Sequence, residues 1–183
     1  MRKLGLLLLA LGLNWACSSG GNNTDAKTQS EQLTQINGYE EQMLAQESLD
    51  TLLARKMAMA YTRYVEDFPQ DTLVPIMLKK QGDLYAAWPG HSQKALAAYQ
   101  TLVEEHQDHP VTPPALFAAA FVYEAQGDFK RQAGAYRMFL RQYPNHPLAS
   151  DAKNLLVMAT DRKQSDLDRV KQWKQQAKKD TTQ

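Results

Sequence analysis

The stretch "YRMFLRQYPNHPLASDA", residues 136–152, joins the end of one helix to the start of another. Its first, fourth and fifth residues are Tyr136, Phe139 and Leu140, and this spacing places apolar side chains on one face of a helix. Pro144 then ends the helix, because proline cannot continue the hydrogen bonding of a helix interior. The stretch therefore predicts a corner between two helices.

The same arrangement occurs twice earlier in the chain. "YQTLVEEHQDHPVTPPA" occupies residues 99–115, and "YTRYVEDFPQDTLVPIM" occupies residues 61–77. Each segment begins with a tyrosine, and the successive spacings between Tyr61, Tyr99 and Tyr136, the lead tyrosines, are 38 and 37 residues. Repeats of this length with helical spacing indicate stacked helical hairpins.

The other half of each unit repeats as well. Gly82 and Ala120 occupy equivalent positions, and small residues there would let two helices approach closely. A glycine, Gly90 or Gly127, comes nine residues before the next lead tyrosine, and glycine favours the left-handed conformation that often ends a helix. We therefore predict tight turns at both glycines. The matching triplets are Leu78, Gly82 and Tyr85, and Leu116, Ala120 and Tyr123.

On these residues the chain resembles tetratricopeptide-repeat proteins. The resemblance covers residues 49–160, and "YEAQGDF", "FLRQYPNHPLASDA" and "VEDFPQDTLVP" are similar to repeats of bacterial envelope proteins. Two such proteins are the lipoprotein subunit of the outer-membrane assembly machine and the Tol-associated coordinator of cell division. The resemblance implies an all-α fold, a right-handed superhelix of antiparallel hairpins with a C-terminal capping helix. It also implies a concave groove that binds peptides or proteins.

The resemblance further implies which residues face this groove. The first helix of each hairpin would line the concave side, with Leu116, Ala120 and Tyr123 used for packing. The residue that directly follows each of these packing positions on the helix would face the partner. Phe117 and Phe121 could instead pack against neighbouring hairpins. The predicted groove consists of Ile76, Lys79, Asp83, Phe117, Phe121, Glu124, Asn154 and Met158.

The start of the chain is typical of an exported protein. Arg2 and Lys3 precede an apolar run at residues 4–13, which is too short to cross a bilayer but suits a secretory signal. Ala16 and Cys17 then resemble a lipoprotein cleavage site, which predicts a signal peptide at residues 1–16. Asn14 and Trp15 depart from the usual residues of such a site, so an ordinary signal peptide with an incidental Cys17 is the alternative.

Cys17 is the only cysteine of the chain, and lipidation would account for it in an oxidising envelope. Ser18 and Ser19 follow it without an aspartate, which favours the outer membrane, on the periplasmic face in a Gram-negative bacterium. Residues 17–29 lack apolar periodicity and predict a flexible tether. The membrane would therefore be a partner through lipid on Cys17.

The repeat domain is predicted at residues 30–163. Its first part, residues 30–46, has a helical pattern that Asn37 and Gly38 interrupt, so we expect one or two short helices covering the first hairpin. The segment has too few unbroken heptads for a long coiled coil.

Residues 164–183 predict a separate capping helix and tail. Ser165 and Asp168 form a plausible capping box at its start. The apolar stripe on this helix would cover the last hairpin, as terminal helices of repeat arrays do. The basic face opposite would be solvated or would touch anionic lipid or a partner. The stripe is Leu167, Val170, Trp173 and Ala177, and the basic residues are Arg169, Lys171, Lys174, Lys178 and Lys179.

Catalysis and nucleic-acid binding find little support in the sequence. The 183 residues carry a net charge of +1, and nucleic-acid binding would need a strongly basic stripe. His106 and His109 could be imagined as metal ligands, but the repeat register places them in a turn, and His146 occupies the position equivalent to His109. A glycine-rich phosphate loop is absent from the sequence. We expect no catalytic residue, cofactor, metal or small-molecule substrate.

Two functions fit these features. The first is a non-catalytic outer-membrane lipoprotein that acts as an adaptor, binding envelope proteins or peptides in its groove within an assembly or transport complex. The alternative is a regulator of cell division or peptidoglycan synthesis that recruits its partners in the same way. An accessory subunit of an enzyme is a third possibility that no residue pattern favours.

Overall fold

The structure, a computed structural model, describes residues 27–180 and the side chains of residues 27–175. Seven α-helices follow one another in this part of the chain, and it contains no strand. The predicted all-α class is therefore confirmed for the described residues. The helices are α1 (Gln29–Leu44), α2 (Thr51–Asp67), α3 (Val74–Ala87), α4 (Ser92–Glu105), α5 (Thr112–Ala125), α6 (Phe129–Gln142) and α7 (Ala149–Asp180).

Each helix packs against the next one along the chain, and α3 also contacts α5. The connections between helices are only three to six residues long, so consecutive helices run in opposite directions. Consecutive antiparallel helices form hairpins, among them α1–α2, α3–α4 and α5–α6. This order brings α3 and α5, the first helices of two adjacent hairpins, side by side.

The core consists of three clusters along the molecule, and each contains one lead tyrosine. Tyr61, Tyr99 and Tyr136 are at most 2% exposed, so each ring fills the interior between its own helix and the helices beside it. The helical spacing seen in the sequence therefore does mark the buried face of α2, α4 and α6.

The same kind of hydrogen bond, from a backbone N–H to a side chain, occurs in the turns before α3, α5 and α7. Asp71, His109 and His146 each lie ten residues after a lead tyrosine. Each accepts the backbone N–H two residues further on, over 2.7, 3.3 and 3.2 Å respectively. This bond orients the chain for the next helix, so the prediction that His109 and His146 are turn residues is confirmed. Within residues 27–175, no group of three or more His, Cys, Asp or Glu side chains could hold a metal ion.

The two predicted glycine turns are present. Gly90 has φ 82° and Gly127 has φ 71°, both in the left-handed region that glycine adopts without strain. After α5, the Gly127 N–H donates to the Glu124 carbonyl over 2.8 Å, and the Asp128 N–H donates to the Tyr123 carbonyl over 2.9 Å. This pair of bonds is the Schellman arrangement, which satisfies carbonyl groups at the end of a helix.

The close approach predicted at Gly82 also occurs. A Cβ atom at this position would lie 2.7 Å from Cδ1 and 3.0 Å from Cζ of Tyr99. The ring of Tyr99 therefore lies directly against the backbone of α3, where only glycine leaves enough room.

The predicted interruption at Asn37 and Gly38 is wrong, because α1 is one helix from Gln29 to Leu44. A capping box, in which Thr28 and Glu31 satisfy each other's backbone N–H groups, starts this helix. Ile36 is buried in the first core cluster, and this packing outweighs the modest helical cost of a glycine.

The separate capping helix at residues 164–183 is also not observed. Ser165 and Asp168 lie inside α7, which is continuous and contains neither glycine nor proline. Its first part packs against α6, a helix of 14 residues, whereas α7 has 32 residues and extends past its partner. The predicted apolar stripe is therefore largely uncovered: Leu167, Val170 and Trp173 are 46, 49 and 70% exposed.

Several predicted features lie outside the residues that the structure describes. The signal peptide at residues 1–16, Cys17 and residues 18–26 of the tether are not among the described residues, and neither are the side chains of Ala177, Lys178 and Lys179. Among the helices that are described, none is both long and apolar enough to span a membrane.

Candidate partner-binding groove

An open groove of about 360 Å³ lies between α3 and α5. The two helices contribute mostly small or apolar side chains, and α4 contributes two residues. Because four of these side chains are alanines, the groove leaves room for side chains of a partner. This α3–α5 groove is lined by Asp83, Ala86, Ala87, Ser92, Tyr99, Ala118, Phe121, Val122 and Ala125.

One side of the groove is polar, and its geometry depends on Gly82. Since the Tyr99 ring lies against the glycine, its hydroxyl reaches past α3 and donates to Asp83 Oδ1 over 2.7 Å. Lys79 Nζ also donates to Asp83, over 2.6 and 2.7 Å, from one turn earlier on the same helix. The carboxylate of Asp83 is therefore held by a buried tyrosine and by a lysine at the rim.

The electrostatics keep this tyrosine neutral. Burial raises the pKa of Tyr99 well above its usual range, and its hydrogen bond to Asp83 and the charge of that carboxylate raise it further. Tyr99 is thus a hydrogen-bond donor at every physiological pH, and Asp83 is its acceptor.

The two predicted groove phenylalanines have different environments. Phe117 is half-buried, and its ring centroid lies 5.4 Å from that of Tyr136 and 5.6 Å from that of Phe139. Phe121 contacts Phe117 edge-on at 5.4 Å but is 45% exposed. Phe117 therefore belongs to the core, whereas Phe121 presents part of its ring to the groove.

Glu124 joins α5 to the two helices that follow. It accepts a hydrogen bond from Gln132 Nε2 over 3.1 Å and forms an ion pair with Arg162 of α7. The guanidinium of Arg162 also lies 5.8 Å from the ring centroid of Phe129. Glu124 thus has partners within the protein.

The structure brings two of the eight predicted groove residues, Asp83 and Phe121, into the α3–α5 groove. Ile76 is half-buried on α3, and Asn154 and Met158 are exposed on α7. These three, together with Lys79, Phe117 and Glu124, are outside the lining of this groove. A binding role for the predicted set stays a prediction.

The sequence reasoning missed the acceptors of the lead tyrosines. The hydroxyl of Tyr61 donates to Glu40 over 2.8 Å, as that of Tyr99 donates to Asp83 over 2.7 Å. In both cases the acceptor lies on the first helix of the same hairpin. The signal that could have revealed these pairs was a carboxylate on the preceding helix, 21 residues before Tyr61 and 16 residues before Tyr99.

The third lead tyrosine breaks this pattern. The residue 38 positions after Asp83 is Phe121, so an apolar ring stands where a carboxylate would be expected. The hydroxyl of Tyr136 is buried and has no hydrogen-bond partner among the described residues. The groove therefore changes from polar at α3 to apolar at α5.

This arrangement can hold a partner segment, with an apolar side chain beside Phe121 and a polar group near Asp83. The alanine side chains of the lining are small, so they leave room for the segment. No protein-family model matches the chain, and a search of curated proteins finds no match to it.

Proposed function

We propose that the chain is a non-catalytic lipoprotein of the outer membrane that acts as an adaptor, binding other envelope proteins in the α3–α5 groove. In this proposal the hairpins form a right-handed superhelix of the tetratricopeptide-repeat kind, and the groove lies on its concave side. The observation that carries the proposal is the half-exposed ring of Phe121 in a groove walled by alanines.

An exposed phenylalanine in such a place favours binding. Complete burial of a large apolar side chain is worth about 1.5–3 kcal/mol, and Phe121, at 45% exposure, forgoes about half of this, so the groove favours a partner that covers the ring. Aromatic side chains in small pockets often supply much of the energy of protein–protein interfaces. The Asp83 carboxylate, 2.7 Å from the Tyr99 hydroxyl, would add a polar contact that sets the orientation of the partner.

The membrane part of the proposal rests on the N-terminal sequence. Two basic residues, a short apolar run and the Ala16–Cys17 pair are typical of a lipoprotein signal. A lipid on Cys17 and the tether that follows would keep the helical domain close to the membrane, where membrane-bound partners are concentrated.

Affinity purification from detergent-solubilised membranes tests the groove. We expect Phe121→Ala to reduce recovery of the partner by about tenfold or more while the melting temperature is nearly unchanged. Leu44→Ala, a matched truncation of an exposed side chain on α1, should leave recovery unchanged.

Urea denaturation of the Phe121→Ala variant can contradict the proposal. If Phe121→Ala lowers the free energy of unfolding by roughly 3–5 kcal/mol, as core Phe→Ala changes do, the ring serves packing and not a partner. The identity of the partners separates the two functional classes. Assembly-machine or transporter proteins would support an adaptor, whereas Tol or murein-synthase proteins would support the regulator of division.

A further inference from the structure

A second surface lies around α2 and shares no lining residue with the α3–α5 groove. It contains a cavity of about 370 Å³ with two cationic side chains and no carboxylate in its lining. We call it the α2–α4 cavity, and its lining is Arg55, Ala58, Met59, Tyr85, Trp88, His91 and Lys94.

One wall of this cavity is a stack of three flat rings. The centroids of Trp88 and His91 are 4.0 Å apart with their planes 24° from parallel, and Tyr85 lies 5.8 Å from His91 at 7°. His91 Nδ1 lies 3.1 Å from the Pro89 carbonyl oxygen, which orients its ring. The wall is therefore a continuous aromatic surface made of three stacked rings.

Met59 forms an exposed apolar contact point beside this wall. It is 66% exposed, and both Met59 and Tyr85 also line a neighbouring cavity of about 590 Å³ that extends to Tyr39 on α1. The two cavities thus form one elongated surface from α4 across α2 to α1. Methionine suits such a position because its flexible thioether adapts to different side chains.

The cations of the α2–α4 cavity are available to a partner. Among the described residues, neither Arg55 nor Lys94 takes part in an ion pair. The ammonium group of Lys94 lies 5.3 Å from the Tyr85 ring centroid, so it stands at the edge of the aromatic wall. Positive charge and apolar surface therefore adjoin each other.

We propose that this surface binds an acidic, extended segment of a partner protein. Carboxylates of the segment would pair with Arg55 and Lys94, and a large apolar side chain would pack on Met59 beside Tyr85. The elongated shape favours a peptide chain over a compact anion. In the neighbouring cavity the carboxylates of Glu66 and Asp67 stand beside the cations of Lys56 and Arg63, so the acidic part of the segment would lie at the α2–α4 cavity, whose lining holds no carboxylate.

This surface is distinct from the α3–α5 groove, so the two proposals can fail separately. The test is selection of a phage-displayed random peptide library on the purified full chain, followed by fluorescence anisotropy with labelled copies of the enriched peptides. We expect enriched sequences with several Asp or Glu residues next to a large apolar residue. Their affinity should fall by at least about tenfold in the Arg55→Glu/Lys94→Glu variant and should be unchanged in Phe121→Ala.

A matched control has the same change of charge elsewhere. Arg137→Glu/Lys153→Glu alters two exposed cations on α6 and α7 and should change the affinity by less than about twofold. Circular dichroism of all variants shows whether each one is folded.

Three results would overturn the proposal. The first is enrichment of peptides without acidic residues. The second is an equal loss of peptide affinity in the control variant, which would show that only the net charge of the protein matters. The third is binding of the chain to vesicles containing phosphatidylglycerol that Arg55→Glu/Lys94→Glu abolishes, with no acidic peptide enriched. That result would assign the surface to a membrane.

Discussion

At the scale of single residues, Gly82 decides how closely α4 can approach α3. We expect Gly82→Ala to lower the free energy of unfolding by about 1–3 kcal/mol, because the new methyl group would overlap the Tyr99 ring and force it to shift. Urea denaturation of the purified protein measures this change. The Tyr99 hydroxyl would move with its ring, so its hydrogen bond to Asp83 should weaken as well.

Gly38 provides the matched control for this substitution. It also lies within a helix, but apart from its two chain neighbours and the helix's own backbone nothing is within 4 Å of a Cβ at this position. Gly38→Ala should therefore stabilise the protein by up to about 1 kcal/mol, the difference in helix propensity between the two residues. If both alanine variants change stability in the same direction, close packing at Gly82 is not the determinant.

The lead tyrosines make a prediction about pH. Burial raises the pKa of Tyr61 and Tyr99 in the folded protein, whereas in the unfolded chain both titrate at about pH 10. Above that pH the unfolded chain binds fewer protons than the folded one, so stability should fall as pH rises from about 9 to 11. Below about pH 9 these tyrosines should contribute no pH dependence.

Replacing these tyrosines tests the origin of the effect. The Tyr61→Phe/Tyr99→Phe variant removes both hydroxyls, so its stability should decrease less steeply over the same alkaline range. Urea midpoints measured across that range compare the slopes. Parallel curves for the two proteins would mean that other groups, such as Tyr64 and Tyr136, whose pKa burial also raises, cause the alkaline loss.

At the scale of elements, α7 combines a packed part with an extension. The ion pairs Asp166–Arg169 and Asp168–Lys171 join residues of the extension to each other and not to other helices. We expect a chain that ends after Lys163 to lose helical signal in far-UV circular dichroism. Its free energy of unfolding should change by less than about 1 kcal/mol, as is usual for exposed positions.

A larger loss of stability would contradict this description of α7. It would mean that Leu167 and Val170, which line an open cavity with Phe129, contribute more packing than their exposure indicates. Val170→Ala in the full chain then identifies whether the stripe is responsible. The exposed Lys174→Ala change on the same helix is its control.

At the scale of the whole molecule, the proposed lipid on Cys17 would decide where the protein acts. We expect Cys17→Ser to release the protein from membranes into the soluble fraction, because one acyl-bearing residue would supply the anchor. Cell fractionation and immunoblotting measure the distribution. Ser18→Ala should remain with the membranes, and a Cys17→Ser protein that resists washing in high salt would show that the anchor lies elsewhere.

The sequence by itself determined the features that depend on neighbouring residues in the chain. The repeat spacing predicted helices around Tyr61, Tyr99 and Tyr136, and these rings are buried. Gly90 and Gly127 predicted turns with positive φ, and both have it. Such features are local, because a helical face or a turn is specified by residues a few positions apart.

Only the tertiary structure decided which of these faces are covered. Phe117 and Phe121 lie four residues apart on one helix, yet Phe117 packs against Tyr136 and Phe139 while Phe121 faces an open groove. The stripe on α7 has a core-like pattern but extends past the end of α6 and stays exposed. Coverage depends on where distant helices end and cross, and the periodicity of a single helix carries no information about its neighbours.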